Sequence, residues 1–459
     1  MGGQHRLLSA PERIGVGIDR KQLNRLVVCL LLEGGIALSK SRQKTCATTT
    51  PASILPASHA LVFLAMYVAG GLSVPVLSLM LIARGATVEA LPISIGITLA
   101  VTCAFEVPSG VISDVLGRRA TFAASMLLHA GAYLFLLIGD GFAMVLASSV
   151  LRGLALAART GSLEAIEIDR ILDRNHERGA RLAALDCLNG RLALLETTGT
   201  AAGGMLGGMI AAFDDTYVLL IVSVVFLSLT SLTGAAIVFP KDVRRVGTGM
   251  REGLRAELFA IAAAAKRPGD VRFVLALSVS AGVAMVALET YWQLDLLALM
   301  GDPWEWALGF VSCLGMVTAS VGSACAMRFG GLTEEFFKGQ GRRGLYIGLH
   351  VLILVVLGSL AFTASAAVFI GLYAFMYLLL GARSVIEQTL LHNAASSRER
   401  SGMASVQSVA IRGGGVLSSA LGSALVPMIG LGGVWMALAA VAAGIAAPAL
   451  VCSRVGTRR

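Results

Sequence analysis

Ionisable side chains interrupt several long apolar runs of this 459-residue sequence. Hydrophobic residues make up 56% of the chain and charged residues only 14%. A charge inside a run long enough to cross a membrane is costly to bury, so each one is a candidate for binding protons or a polar ligand. These candidates are Glu106, Arg152, Arg191, Glu196, Glu289 and Arg412.

Arg152 and Glu196 lie at similar depths in the fourth and fifth apolar runs. An ion pair between them would lower the cost of burying each charge. Two interpretations stay open. The pair could be purely structural, or Glu196 could bind a proton with an affinity that Arg152 controls. Glu106 likewise has a structural alternative, because it directly precedes a polar turn that it could help to position.

Glu289 lies beside two aromatic residues, Tyr291 and Trp292. Aromatic faces attract cations and stack on flat apolar molecules, so this group would suit an apolar or cationic substrate. The alternative is an aromatic belt at the membrane interface, where tryptophan and tyrosine are enriched.

The stretch GVISDVLGRR is a charged turn between two apolar runs. Its candidate residues are Gly110, Asp114, Gly117, Arg118 and Arg119. The glycines permit close backbone approach and positive φ. We expect Asp114 to pair with Arg118, and the arginines to reach acids such as Glu167 or Asp169. Such contacts can form in one conformation and break in another. The alternative is an ordinary basic loop on the cytoplasmic side.

Long apolar runs must position these residues. The mean hydropathy is +0.79, and a soluble chain would carry roughly 25% charged residues. About 20 apolar residues cross a bilayer as a helix, and the runs are too long and too uniform for barrel strands. We therefore predict an all-α membrane protein with twelve transmembrane helices. The approximate spans are 59–82, 91–112, 119–138, 142–163, 182–211, 216–239, 271–298, 305–327, 344–363, 366–385, 402–427 and 431–452.

Basic residues concentrate in alternate gaps between the spans, which predicts that both termini are cytoplasmic. The gap 240–270 divides the spans into six and six, and GGLTEEFFKGQGRRG repeats the first charged turn in the second half. We predict two pseudo-symmetric six-helix bundles, at 57–239 and 271–453, with a cytoplasmic central loop at 240–270. Residues 1–56 are predicted to be a cytoplasmic, disordered extension, with a signal peptide as the alternative. A cytoplasmic tail at 454–459 follows.

The pattern G-x-x-x-D-x-x-G-R-R between the second and third of twelve spans resembles the major facilitator superfamily. The resemblance covers roughly residues 57–453. It implies a monomeric secondary transporter in which two bundles rock around a central cavity, with the charged turn as a gate. The fifth span resembles that of proton-coupled drug antiporters in its glycine pattern. Those glycines are Gly190, Gly199, Gly203, Gly207 and Gly208. Helix packing through small residues is the alternative interpretation.

Several classes of function are disfavoured. No P-loop motif occurs, so we expect no ATP hydrolysis. The seven cysteines and six histidines show no metal-ligand spacing, and we interpret the cysteines as small core residues. We therefore expect no metal, no cofactor and no enzymatic activity. The basic residues lie between spans, which argues against nucleic-acid binding.

The expected function is proton-coupled efflux of a small amphipathic or drug-like molecule across the cell membrane. The expected partners are the substrate, protons and the lipid bilayer. Nutrient uptake by a symporter or uniporter is one alternative, and a membrane sensor without transport is another.

Overall fold

A computed structural model describes residues 54–160, 162–174, 178–213, 216–240, 259, 270–301, 305–329, 341–394 and 400–455. Every regular element within these ranges is a helix, which agrees with the predicted all-α class. Several predicted segments lie wholly or mostly outside the described residues. They are the extension 1–56, the loop 240–270, the second charged turn near 330–341 and the tail 454–459.

The helices follow one another with short connections. The first eight are α1 (Ala57–Leu72), α2 (Leu77–Ala83), α3 (Leu91–Leu116), α4 (Arg118–Ile138), α5 (Phe142–Arg159), α6 (Leu163–Arg174), α7 (Arg178–Ala211) and α8 (Val218–Val238). The last five are α9 (Asp270–Met300), α10 (Glu305–Phe329), α11 (Gly341–Leu360), α12 (Ala366–Ala394) and α13 (Arg400–Val455).

Three interruptions shape these helices. A 3-10 turn at Val74–Val76, which contains Pro75, separates α1 from α2, because proline lacks the N–H that a continuous helix needs. Gly117 has φ 99° and separates α3 from α4, as the charged turn predicted. Gly430, with φ 66° and ψ 177°, is a non-helical residue inside the 56-residue α13.

Among the described residues, ten helices are long and apolar enough to cross a membrane. One of them, Ser405–Ala449, has 45 residues and covers the predicted spans eleven and twelve. Helix α7 covers the predicted fifth span but is not among the ten, because its glycines, threonines and ionisable residues lower its hydropathy. The chain is therefore a multi-pass integral membrane protein, and the number twelve stays a prediction.

The described helices form one compact unit, in which an N-terminal and a C-terminal group can be distinguished by their contacts. In the N-terminal group, α1 contacts α7 and α8, while α5 contacts α3 and α4. In the C-terminal group, α9 contacts α13, and α12 contacts α10 and α11. Helices α7 and α10 pack together across the two groups, and so do α3 and α13. The largest apolar core runs through both groups and includes Val76, Tyr133, Trp292 and Tyr373.

One sequence interpretation of the cysteines is wrong. Cys187 is disulfide-bonded, whereas we interpreted every cysteine as a small core residue. Cys103, Cys313 and Cys325 are free thiols and half-buried.

Candidate functional site between the two helix groups

Each end of the helix bundle is named here after a charged residue that lies there, Arg84 at one end and Arg118 at the other. At the Arg84 end, the Arg84 guanidinium donates to the carbonyl oxygen of Thr216 at 2.6 Å and lies 3.3 Å from Asp140 Oδ1. The Arg118 end carries the charged turn.

Glu106 joins the two helix groups on the side toward the Arg118 end. Its carboxylate on α3 accepts hydrogen bonds from Ser408 Oγ on α13 at 3.0 and 3.1 Å. The same carboxylate lies 3.2 Å from the Arg412 guanidinium, one turn further along α13. The side chains of Glu106 and Arg412 are 18% and 21% exposed. We call this set the Glu106 contact. The sequence identified both charged residues but did not predict that they pair.

Gln293 joins the two groups on the side toward the Arg84 end. Its Oε1 on α9 accepts a hydrogen bond from the backbone N–H of Ser78 at 2.9 Å, and its Nε2 donates to the carbonyl of Val74 at 2.9 Å. Ser78 Oγ donates to the carbonyl of Thr290 at 3.0 Å. The 3-10 turn frees these backbone groups, and buried backbone groups need partners. We call this set the Gln293 contact.

Sequence reasoning missed the Gln293 contact, although two signals were present. A proline interrupts the first span at Pro75, and a glutamine lies inside the seventh span. Neither signal alone indicates that the glutamine amide binds the broken backbone of another helix.

Glycines allow close packing both within and between the groups. A Cβ on Gly199, Gly203 or Gly207 would lie 2.7, 2.4 or 1.8 Å from atoms of α1. A Cβ on Gly208 would lie 2.6 Å from the backbone nitrogen of Gly309 on α10. A Cβ on Gly190 would meet nothing within 4 Å. The glycine pattern of the fifth span therefore has a packing role at four of its five positions.

Along α9, Glu289 lies between Gly282, which packs against Ile411 beside Arg412 of the Glu106 contact, and Gln293 of the Gln293 contact. Its side chain is deep in the molecule and yet accessible to solvent. Tyr377 on α12 donates its hydroxyl to Glu289 Oε1 at 3.3 Å. The Tyr377 ring is 4.8 Å from that of Tyr373, which in turn is 4.8 Å from that of Trp292. Trp292 and Tyr291 are each 2% exposed, so neither ring occupies the lipid-facing position of an aromatic belt.

The charged turn forms only part of the predicted contacts. Arg118 donates to Asp169 Oδ2 and to the carbonyl of Ala165, both at 2.6 Å. Arg119 donates to the carbonyl of Phe239 at 2.9 Å. Asp114 is exposed, and no hydrogen bond or ion pair joins it to another described residue. The predicted Asp114–Arg118 pair is therefore absent, and Asp169 is the acid that binds Arg118.

Gly110 also differs from the expectation. It lies inside α3, and a Cβ there would meet no atom within 4 Å. Gly117 alone provides the positive φ of this turn, and Gly110 has neither the close approach nor the backbone conformation that the sequence suggested.

The predicted Arg152–Glu196 pair does not form among the described residues. Helix α5 packs mainly on α3 and α4, whereas α7 packs on α1 and α10. Similar depth on consecutive helices therefore did not bring the two side chains together.

Glu196 and Arg191 both lie on α7. Glu196 is exposed and shares the face of α7 that meets α1. The charges of Glu196 and Arg159 also act on Tyr67, whose hydroxyl donates to Glu164 Oε1 at 3.2 Å. Arg191 lies nearer the Arg118 end of α7.

A buried charged cluster in the C-terminal group was not predicted. Arg383 and Glu387 on α12 form an ion pair at 3.0 Å, with side chains 5% and 1% exposed. Arg383 also donates to Tyr346 Oη at 2.9 Å, and Ser278 donates to Glu387. An arginine followed four residues later by a glutamate forms a helical pair, so the stretch ARSVIE contained the signal. The described residues contain no group of three His, Cys, Asp or Glu side chains that could hold a metal.

Solved structures of other proteins have a fold similar to that of this chain. The sequence matches no protein-family profile and no curated protein. The structure resembles the crystal structure of the nucleoside transporter NupG, with a TM-score of 0.67 and 10% identity over 85% of this chain and 97% of that one. A point variant of NupG gives a TM-score of 0.66 and 13% identity over 85% and 98% of the chains.

The human organic anion transporter MFSD10 (TETRAN) gives a TM-score of 0.55 and 15% identity over 86% and 99% of the chains. The chain therefore shares the fold of these transporters, which agrees with the resemblance that the charged turn suggested. All three solved structures are of transporters. At these identities the likeness shows the fold alone, because one fold hosts many functions.

Proposed function

We propose that this chain is a secondary transporter of the major facilitator type that works by alternating access. The observation that carries the proposal is the position of an accessible acid between two separate contacts. Glu289 lies on α9 between the Glu106 contact and the Gln293 contact, and each contact joins the two helix groups. Breaking one contact while the other holds would open a central site to one side of the membrane at a time.

The proposed topology has twelve spans in two pseudo-symmetric six-helix groups with cytoplasmic termini. Ten apolar helices support it, together with α7 and the break at Gly430 in α13. A 45-residue apolar segment is about twice the roughly 20 residues that one crossing needs. The Arg118 end is then cytoplasmic, because the basic residues concentrate there. The proposed groups are 57–239 and 271–453, joined by the cytoplasmic segment 240–270.

The proposed driving force is the proton gradient of the cell membrane, with the substrate exported. Two acids support it. Glu289 and Glu196 are both accessible, and no ion pair neutralises either one among the described residues. A carboxylate that is costly to leave charged can alternate between a proton and another ligand. Glu106 and Arg412 would act in gating, and Arg118 with Asp169 would support that gate.

The substrate class is proposed to be a small amphipathic molecule. NupG is a nucleoside transporter and MFSD10 an organic anion transporter, so nucleosides and organic anions belong in the test panel beside lipophilic cations. The resemblance to the superfamily also supports a monomer.

The test uses purified protein in liposomes that contain a pH-sensitive dye, with a pH gradient imposed. Compounds that raise the melting temperature of the protein are added one at a time. We expect substrate-triggered proton movement opposite to the substrate flux, and its loss in Glu289→Gln or Glu196→Gln. The matched control is Glu89→Gln, which changes an exposed loop residue and should behave as the wild type.

The outcomes separate the alternatives. Proton movement in the same direction as the substrate would replace efflux with symport. Substrate flux without proton movement would replace it with uniport. A compound that binds and changes cysteine accessibility without any flux would refute transport and favour a sensor.

A further inference from the structure

Glu289 is a carboxylate without a cationic partner. Its one hydrogen bond among the described residues comes from the neutral hydroxyl of Tyr377, and no arginine, lysine or histidine of the described part pairs with it. Arg412, Arg383 and Arg84 each have another partner. A charged acid at this depth is costly unless a positive charge lies beside it.

An apolar residue shares the accessible surface with Glu289. Between residues 281 and 293 of α9, only Met285 and Glu289 are exposed, and the remaining residues are buried or partly buried. Residues four apart lie on the same face of a helix, so the two form one accessible stripe. Met285 is 39% exposed, and a flexible thioether adapts to apolar ligands of different shape. The stripe therefore offers one negative charge and one adaptable apolar contact.

Aromatic rings fix the position of the acid. Tyr373 is 1% exposed and Tyr377 8% exposed, so these rings mainly hold the Tyr377 hydroxyl against Glu289. Gly315 on α10 leaves room for them, since a Cβ there would lie 2.9 Å from Tyr373 Cε1. The electron-rich rings also favour a positive charge nearby.

We propose that Glu289, Tyr377 and Met285 form the binding site for the charged group of a monovalent organic cation. This inference rests on the proposed transport function and names its substrate class. The cation pairs with the Glu289 carboxylate, and its apolar part contacts Met285. An organic anion would be repelled at this position, and a neutral molecule would leave the carboxylate unpaired.

The test measures equilibrium binding of two probes of the same size and opposite charge, tetraphenylphosphonium and tetraphenylborate, to the purified full-length protein in detergent. We expect saturable binding of tetraphenylphosphonium only. Glu289→Gln should weaken that binding by about tenfold or more, as expected for loss of a charge-assisted contact. Glu289→Asp should restore part of it, and Tyr377→Phe should weaken it by roughly threefold.

The control variant is Glu89→Gln, which removes an acid of the same type from an exposed loop and should bind as the wild type. Size-exclusion profiles and melting temperatures confirm that each variant is folded. Tyr377→Phe keeps the ring and gives a second test if Glu289→Gln does not fold.

The results separate this inference from the proposed function. Binding of tetraphenylborate would overturn the cation site. So would tetraphenylphosphonium binding to Glu289→Gln and Tyr377→Phe that is as tight as binding to the wild type. Proton-coupled flux of a nucleoside or an anion without tetraphenylphosphonium binding would leave the transporter proposal intact and also overturn the cation site. Glu289-dependent binding without flux of any compound would support the site and refute transport.

Discussion

Gly208→Ala tests whether α7 and α10 separate during the proposed transport cycle. Gly208 lies near the Arg84 end of α7, and a Cβ there would lie 2.6 Å from Gly309 N and 2.7 Å from its Cα. Ordinary contacts begin at 3.4 Å, so the two helices would have to separate by about 0.8 Å. Forcing an extra methyl into tight packing costs ~1–3 kcal/mol.

This cost applies only to the conformation in which the two helices touch. If the helix groups open at the Arg84 end, the methyl no longer collides and the open conformation gains population. A difference of ~1–3 kcal/mol corresponds to a shift of roughly 5- to 150-fold. The shift should increase the population of conformations in which the space between the helix groups is accessible from the Arg84 end.

The assay uses Ser312→Cys as a reporter on α10, in a background without other reactive cysteines. Ser312 is 3% exposed and its Oγ lies beside Gly204 of α7. The rate of labelling by a membrane-impermeant maleimide should rise by roughly 5- to 150-fold in Gly208→Ala. The reporter is buried between the groups, so labelling requires that they separate.

Two glycines of the same helix provide matched controls. Gly203→Ala places its Cβ 2.4 Å from the carbonyl oxygen of Val68, within one helix group. It should lower the melting temperature without faster labelling. Gly190→Ala meets nothing within 4 Å and should change neither quantity. Unchanged labelling in a folded Gly208→Ala protein, or equally fast labelling in Gly203→Ala, would refute the separation of α7 from α10.

Two further predictions concern charged pairs. Asp169→Asn should lower the initial transport rate more than Asp114→Asn, because Arg118 binds Asp169 at 2.6 Å while Asp114 has no described partner; equal rates at matched protein amounts would contradict this. Arg383→Met should destabilise the protein by ~3–5 kcal/mol, because it leaves Glu387 charged and buried, and adding Glu387→Met should recover much of the loss. Thermal unfolding followed by tryptophan fluorescence measures the stability of the single and the double variant. A double variant no more stable than Arg383→Met would contradict this second prediction.

The sequence predicted local features of the charged turn better than its contacts. Gly117 has the positive φ that its position between two apolar runs suggested, and Arg118 reaches Asp169, one of the two acids proposed for it. Asp114 lacks the partner expected from its spacing to Arg118. The spacing of residues along a helix determines the face on which a side chain lies. Its partner depends on how the neighbouring helices pack against that face.

Depth along the membrane was a poor guide to ion pairs. Arg152 and Glu196 lie at similar depths, yet their helices do not pack closely. Glu106 and Arg412 are far apart in the sequence and pair at 3.2 Å because α3 and α13 are neighbours. Helix adjacency between the two groups is a property of the whole fold, and a single span does not encode it.

The two contacts between the helix groups differ in kind, and this difference constrains how a gradient could drive the protein. The Glu106 contact contains an ion pair with partly exposed side chains, so its strength depends on charge and on ionic screening. The Gln293 contact consists of buried neutral hydrogen bonds and lies at the same end as the glycine packing of α7 on α10, so its strength depends on geometry. A nearby change of charge would act directly on the first kind of contact, whereas it would reach the second only through movement of the helices. Glu289 is one residue from Thr290 and four from Gln293 on α9, so a ligand bound at Glu289 would contact the helix that carries the neutral contact.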